Sequence, residues 1–181
     1  MNQESKKGFT LVELLVVIGI LAILAATVVV VLNPAELLRQ ARDVQRMSDL
    51  DTVKSVVALY LSTVSNPTLT SGPFASATGS CYSLVGTCTS KGFGISNGWV
   101  GVDLTTMTSP PPPISAWPRD PINDGTYHYA WDADATNLTF ELNADLESAK
   151  YSSGGTNDKE GNDGGNSTTI YEVGTDPGLD L

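Results

Sequence analysis

The residues whose types and spacing could do chemistry lie at the start of the chain, in Lys6-Lys7-Gly8-Phe9-Thr10-Leu11-Val12-Glu13. Two lysines and a glycine precede an apolar run from Phe9 to Leu32, and Glu13 is the single charge in that run. A secretory signal peptide has a shorter apolar core with small residues for cleavage at its far end. Here the small residue, Gly8, is on the near side. A protease acting there would remove a basic leader and leave the hydrophobic segment on the mature protein. The second chemical group is the Glu13 carboxylate. Within a membrane helix it costs about 2.5 to 3.5 kcal/mol on insertion scales, so such a group usually has a partner and a function. The alternative is a carboxylate close enough to the headgroups to stay wet.

These groups are positioned by one element. The 24 residues from Phe9 to Leu32 would make a helix roughly 36 Å long, enough to cross a hydrocarbon core of about 30 Å. Lys6 and Lys7 stay cytoplasmic by the positive-inside rule, which puts everything after Leu32 outside. Gly19, Ala22, Ala25 and Ala26 give the span small-residue surfaces where helices can approach closely, or are ordinary membrane composition. Asn33-Pro34 either ends or kinks the helix, since proline removes a donor and crowds the preceding turn, although proline is tolerated in the first turn of a new helix. Ala35 to Leu61 reads as helical. Leu50, Val53, Val57, Tyr60 and Val64 recur at three- and four-residue steps, an amphipathic face that should bury against a domain. Leu37, Ala41 and Val44 make a shorter stripe before it. Arg39, Arg42, Arg46 and Lys54, interspersed with Glu36, Asp43, Asp49 and Asp51, read as a solvated face, with salt bridges between subunits as the sharper alternative.

Gly8-Phe9-Thr10-Leu11-Val12-Glu13-Leu14 resembles the leader junction of type IV pilins and the related secretion pseudopilins, over roughly Lys6 to Tyr60. The resemblance implies cleavage after Gly8 by a dedicated membrane peptidase, methylation of the new Phe9 amine, and an assembly role for Glu13. It also implies an assembly ATPase and a platform protein as partners. One departure is the proline that the family often has near the middle of this helix, which here comes later, at Pro34. With Gly8 cut, the Phe9 amine of a neighbouring subunit is a cation at the depth of Glu13. Pairing the two would offset both desolvation costs and set the axial register between subunits.

Pro67, Gly72, Pro73 and many Ser and Thr residues end helical character. About 115 residues remain, the size of one small domain. Gly92 to Ile95, Trp99 to Leu104, Thr126 to Asp132, Leu138 to Leu142 and Thr168 to Val173 are β-prone, with Asp-Gly, Asn-Gly and Gly-Gly turns between them. Tyr127, Tyr129 and Trp131 alternate with His128 and Ala130, so the three aromatics should share one buried sheet face and His128 should lie on the sheet surface. Pro110 to Pro113 reads as an extended segment linking two halves of the domain. Cys81 and Cys88 frame a short loop on the side where disulfides persist. One intramolecular bridge is expected there, because two cysteines without nearby histidines are too few ligands for structural zinc.

A second, shorter resemblance lies in Trp117-Pro118-Arg119-Asp120-Pro121 and Gly125-Thr126-Tyr127-His128-Tyr129. Major pseudopilins carry a proline-x-aspartate-proline turn, then a glycine and a tyrosine-bearing strand. Pro118, Asp120, Pro121, Gly125, Tyr127 and Tyr129 match, while Ile122 and Asn123-Asp124 replace the tryptophan and proline that commonly follow. Physically, Pro121 pre-sets a turn in which Asp120 can accept backbone hydrogen bonds. Further on, Ser152 to Asn166 is a glycine-rich acidic loop. Some pseudopilins hold calcium in the corresponding C-terminal loop, and flexible oxygen-rich loops suit that ion. Asp158 and Asp163 are the candidate calcium ligands, with Glu160 and Asn162 behind them. No EF-hand spacing is present, and a solvated loop is the other reading.

The formal net charge is −10, from 20 acidic and 10 basic residues. That opposes a broad phosphate-binding surface, which needs clustered Lys and Arg, so nucleic acid is an unlikely partner of the single chain. There is one histidine, no glycine-framed serine nucleophile, no phosphate loop and no histidine pair for metal. An enzyme is not expected. The expectation is an α+β, pilin-like protein. Residues 1–8 form a cytoplasmic leader, 9–32 a transmembrane assembly helix, 33–64 its amphipathic continuation, and 65–181 a β-rich extracytoplasmic domain with a small antiparallel sheet. It would be a single-pass membrane protein that becomes a homopolymer in an extracellular or periplasmic filament, or alternatively a minor pilin binding a surface, DNA or a secreted substrate.

Overall fold

The computed structural model describes residues 8–82, 84 and 86–179. The leader residues before Gly8 lie outside the described residues. The chain divides after Leu38 into two units.

The first unit is dominated by helix α1, Leu11–Leu32. None of its 22 residues is buried. Helical pairing stops at Asn33, which takes the left-handed conformation (φ 42°, ψ 74°) that asparagine tolerates better than most residues. Helix α2, Pro34–Thr63, begins at the next residue. The missing amide of Pro34 costs nothing there, because first-turn amides have no helical acceptor. The Asn33 carbonyl accepts from Glu36 and Leu37 at 3.0 and 3.3 Å. The interruption is therefore one residue wide.

In the second unit, residues 39–63 of α2 pack on a five-stranded sheet. Leu50, Val53, Val56, Val57 and Tyr60 are buried, at the helical spacing that the sequence predicts. Val64 is partly buried against the same core. The Tyr60 hydroxyl ties down the exit from the helix: it donates to the Thr68 carbonyl at 3.2 Å and accepts from the Thr68 amide at 3.1 Å.

The strands are β1 (Phe74–Ala75), β2 (Thr89–Ser90), β3 (Tyr129–Asp134), β4 (Thr139–Ala144) and β5 (Tyr171–Gly174). They lie in the order β2-β1-β3-β4-β5. All neighbours are antiparallel except β1 and β2. The fold is α+β and pilin-like: a long N-terminal helical segment and a mostly antiparallel sheet. The core joins α2 to Tyr129, Trp131 and Ala133 of β3 and to Phe140, Leu142 and Ala144 of β4. Trp131 stacks on Phe140 with ring centroids 5.2 Å apart.

Three departures from the sequence reading have physical causes. Gly92–Ile95 and Trp99–Leu104 are not strands; they make only the isolated bridges Gly92 to Gly98 and Gly94 to Ala116, followed by a 3₁₀ turn at Leu104–Thr106. Their apolar residues serve the core instead: Trp99, Val100, Val102 and Leu104 are buried. Gly101 is needed in this segment because a Cβ there would strike the Thr70 carbonyl and the Trp131 indole nitrogen. Second, His128 is not on the sheet surface but fully buried. The far face of the sheet has its own cover, a small cluster of Ala75, Cys81, Leu84 and Ala130, so alternation along β3 separates two buried faces. Third, Asp43 and Arg46 are buried inside the domain rather than solvated or left for another subunit.

Candidate functional site

The junction that carries the sequence motif opens α1. Thr10 is the N-cap, with φ −82° and ψ 152°. Its hydroxyl oxygen accepts from the Glu13 amide at 3.3 Å, and the Glu13 carboxylate reaches back to accept from the Thr10 amide at 2.8 Å and the Thr10 hydroxyl at 2.7 Å. This is a complete capping box, which satisfies two otherwise orphaned donors reciprocally. The Thr-x-x-Glu spacing was there to be seen in the sequence. It gives Glu13 an intramolecular set of donors at the positive end of the helix, independent of any other subunit. Phe9 is 86% exposed. Gly8 has no atom within 4 Å of where a side chain would begin, so the Gly8–Phe9 bond is accessible.

Along α1 the arrangement is uniform. Large apolar side chains point outward on all sides, from Leu11 and Val12 to Val31 and Leu32. A helix that is hydrophobic all round belongs in a core or a membrane, and among the described residues this is the one helix long and apolar enough to cross a bilayer. It is consistent with a membrane-anchored prepilin.

The second unit holds a different arrangement, which sequence reasoning missed. Arg46 donates from Nε and Nη2 to the Asp120 carboxylate at 2.6 and 3.2 Å, and from Nη1 to Asp43 at 2.8 Å and Glu147 at 2.7 Å. Glu147 also accepts from Nε and Nη2 of Arg42, each at 2.6 Å. Asp43 accepts the amides of Glu147 and Ser148, and Asp120 accepts those of Ile122 and Asn123. Burial disfavours the Arg46 charge, but the hydrogen bonds and charge of Asp120, then of Glu147, outweigh it and hold the guanidinium protonated more firmly than usual. Burial likewise pushes the Glu147 carboxyl up, and Arg42 and Arg46 overcome it to hold that group below its ordinary value. The aspartate of the proline-x-aspartate-proline turn is thus the anchor by which the loop grips the helix. The available signal was the Asp43–Arg46 pair at i, i+3 together with that turn.

Cys81 and Cys88 are bridged in the structure. The acidic C-terminal loop is organised by its own backbone. Asp158 accepts from Gly154 and Gly161, both at 2.8 Å. Asp163 accepts from Gly165 at 2.9 Å and Glu172 at 2.6 Å. Glu160 accepts from Leu146 at 2.9 Å and Ser153 at 2.7 Å, and Asn162 donates to the Asp158 carbonyl at 3.1 Å. Asp158 and Asp163 therefore direct their oxygens at backbone amides. Among the described residues no three acidic, histidine or cysteine side chains gather where they could hold a metal.

An outward-facing apolar helix, opened by a glycine–phenylalanine junction and followed by an α+β domain, defines the pilin-like class. Residues 5–29 match the family model of the prokaryotic N-terminal methylation motif, and the chain thus carries the motif typical of type IV pilins and pseudopilins. No curated protein and no solved structure matches the chain.

Proposed function

We propose that this chain is a structural subunit of a type IV pilus or pseudopilus, polymerising through α1 after its leader is removed. The observation that carries the reading is the state of α1: 22 residues with none buried, most of them within the segment that matches the methylation motif. Such a helix has to be covered by lipid before assembly and by other copies of itself afterwards, since apolar surface is driven out of water. In this reading a prepilin peptidase cuts between Gly8 and Phe9, the Phe9 amine is methylated, and Lys6 and Lys7 keep the leader cytoplasmic while the second unit lies outside. An ATPase and a platform protein drive subunits from the bilayer into the filament.

The capping box gives Glu13 a place in that sequence. While the subunit is in the bilayer, the amide and hydroxyl of Thr10 offset the desolvation of the carboxylate. On assembly the Phe9 amine of a neighbour becomes its partner. Glu13→Ala is expected to leave the protein in the membrane fraction and to reduce filament yield, counted by electron microscopy, at least about tenfold, the equivalent of roughly 1.4 kcal/mol per subunit contact. Filaments in normal number would overturn the assembly role. Mass spectrometry of purified filaments separates the two positions a subunit can hold: abundance along the shaft marks a major subunit, and scarcity marks a minor one that contacts a surface or substrate.

A further inference from the structure

The outer face of α2 carries a groove that the domain leaves uncovered. One wall is Val44, Ser48, Thr52, Ser55 and Leu59, at three- and four-residue steps along the helix, and the other is Pro113 and Ile114 at the end of the proline run. The space between them is about 670 Å³ and opens to solvent. Val44 is 50% exposed, and Ser48, Thr52, Ser55 and Pro113 are exposed as well. The hydroxyls on this face are less polar toward a partner than their number suggests. Thr52 donates to the Ser48 carbonyl and Ser55 to the Asp51 carbonyl, both at 2.8 Å, a back-bonding that short hydroxyl side chains adopt inside helices. Neither has a further donor to offer. Among the described residues that line the groove, Asp51 is the one that carries charge. The facing wall adds no donor at Pro113, since proline has no amide hydrogen.

Helix α1 has the matching chemistry. From Leu14 to Leu32 it carries no charge, and its one hydroxyl, on Thr27, donates to the Leu24 carbonyl at 2.8 Å. Gly19, Ala22 and Ala26 lie at three- and four-residue steps, a shallow strip on which another helix can approach closely. Two surfaces that are apolar or bonded internally can meet without leaving a buried polar group unsatisfied, which is the costly outcome. Area decides who can supply such a helix. Val44 to Leu59 spans about 22 Å and a bare helix is about 10 Å wide, so the footprint is roughly 200 Å². A stable complex of freely diffusing partners needs about 800 Å² on each side. The groove is therefore too small to capture a partner from solution. It suits a helix whose position other contacts already fix, which is the situation of a neighbouring copy in a polymer.

We infer that the groove between α2 and the Pro113–Ile114 segment is the seat of α1 from a second copy of this chain, one contact of a repeating set. The inference rests on the polymer reading above and adds to it the surface of the second unit that receives the apolar helix. Lateral cover for α1 then comes from a built groove as well as from other α1 helices, and the burial of apolar surface drives the seating. Asp51 stays at the exposed rim, where its charge remains in water.

The experiment uses the full chain in its own filaments. A photoreactive, benzophenone-bearing phenylalanine replaces Ser55 in a minority of copies, co-expressed with the unsubstituted chain so that assembly proceeds. Irradiation is expected to give a covalent dimer on a denaturing gel, and mass spectrometry should place the new bond within Leu11–Leu32 of the other copy. Filaments in normal number with no dimer, or with the bond only to residues of the second unit, would overturn the seat and leave the polymer standing. No filaments from the unsubstituted chain would remove the polymer reading and this inference with it. A groove-filling variant gives a second measurement. Ser55→Trp should lower filament yield at least about tenfold, one order of magnitude in association, relative to Lys54→Trp, whose exposed side chain lies outside the groove. The denaturant midpoint of the second unit should be the same in both variants. Equal filament yields would overturn the proposal. If Ser55→Trp itself lowers that midpoint, the cross-link decides.

Discussion

Helix α1 and the start of the second unit treat charge and burial in opposite ways, although one helical stretch leads almost without a break into the other. Over Leu11–Leu32 nothing is buried and the carboxylate at the start, Glu13, bonds only to Thr10 three residues away. From Asp43 onward, α2 buries a guanidinium completely and surrounds it with three carboxylates drawn from three parts of the chain. The second unit therefore supplies its own reasons to fold: an apolar core on one side of α2 and ion pairs that choose which loops dock on it. α1 supplies none and depends on its surroundings. A substitution that damages one unit should leave the other alone.

The sharpest way to break this division is Arg46→Ala. Removing the guanidinium leaves the carboxylates of Asp43, Asp120 and Glu147 together without the cation that bonds all three, and breaking a buried pair from one side costs about 3 to 5 kcal/mol. Denaturant unfolding followed by tryptophan fluorescence should show a loss of that size, because Trp99, Trp117 and Trp131 all lie in the second unit and are buried. Arg46→Met should recover little, since the acids remain. A loss below about 1 kcal/mol would mean that the network is ornamental and that apolar contacts alone position the Asp120 turn.

The next comparison uses the same change on both sides. Leu50 is fully buried under the sheet, whereas Leu21 is 57% exposed. Leu50→Ala should lower the stability of the second unit by about 2 to 5 kcal/mol. Leu21→Ala should leave it within about 0.5 kcal/mol, as for surface positions. If both substitutions moved the unfolding curve alike, α1 would have to contribute to the second unit's core, and the division would fail.

What the sequence made legible follows from how local each signal is. The junction, the apolar span and the buried face of α2 are set by residues within one or two turns of each other, and periodicity exposes them. The hairpin of β3 and β4 reads for the same reason. The two-residue strands β1 and β2 have no period to read; they exist because Pro73 and Ala75 carbonyls accept the Thr89 and Lys91 amides. Trp99 to Leu104 looks like a strand because its residues are as apolar as one, yet an irregular segment can fill a core equally well. His128 and Arg46 were misplaced for a deeper reason. Several of their partners lie from about 50 to 100 residues away in sequence, and polarity alone argues for the surface until those partners are known.

The smallest expected effect concerns buried acids that make no ion pair with Arg46. Burial pushes the Glu141 carboxyl up to about 8, against hydrogen bonds from Asn143 and the Leu179 amide. It pushes Glu160 to about 7 against the amides of Leu146 and Ser153, and Asp145 to about 6 against the nearby Arg46. Each therefore holds a proton more tightly folded than unfolded. Their contribution is complete below the ordinary carboxylate range and is lost as pH rises, through about 6, then 7, then 8. The second unit should accordingly unfold at lower denaturant concentration at pH 8 than at pH 5. Asp158 and Glu147, held low by backbone amides and by arginines respectively, act in the opposite sense only under more acid conditions. Glu141→Gln keeps an oxygen for the Leu179 amide while removing the proton exchange. It should flatten the curve near pH 7 by a fraction of the ~1.4 kcal/mol per pH unit that one full proton supplies. Because the other buried acids also favour the acid side, the informative quantity is the difference between the two curves. An unchanged slope in Glu141→Gln would show that this carboxyl is solvated in the folded protein, and the acid-side preference would then have to come from the remaining acids.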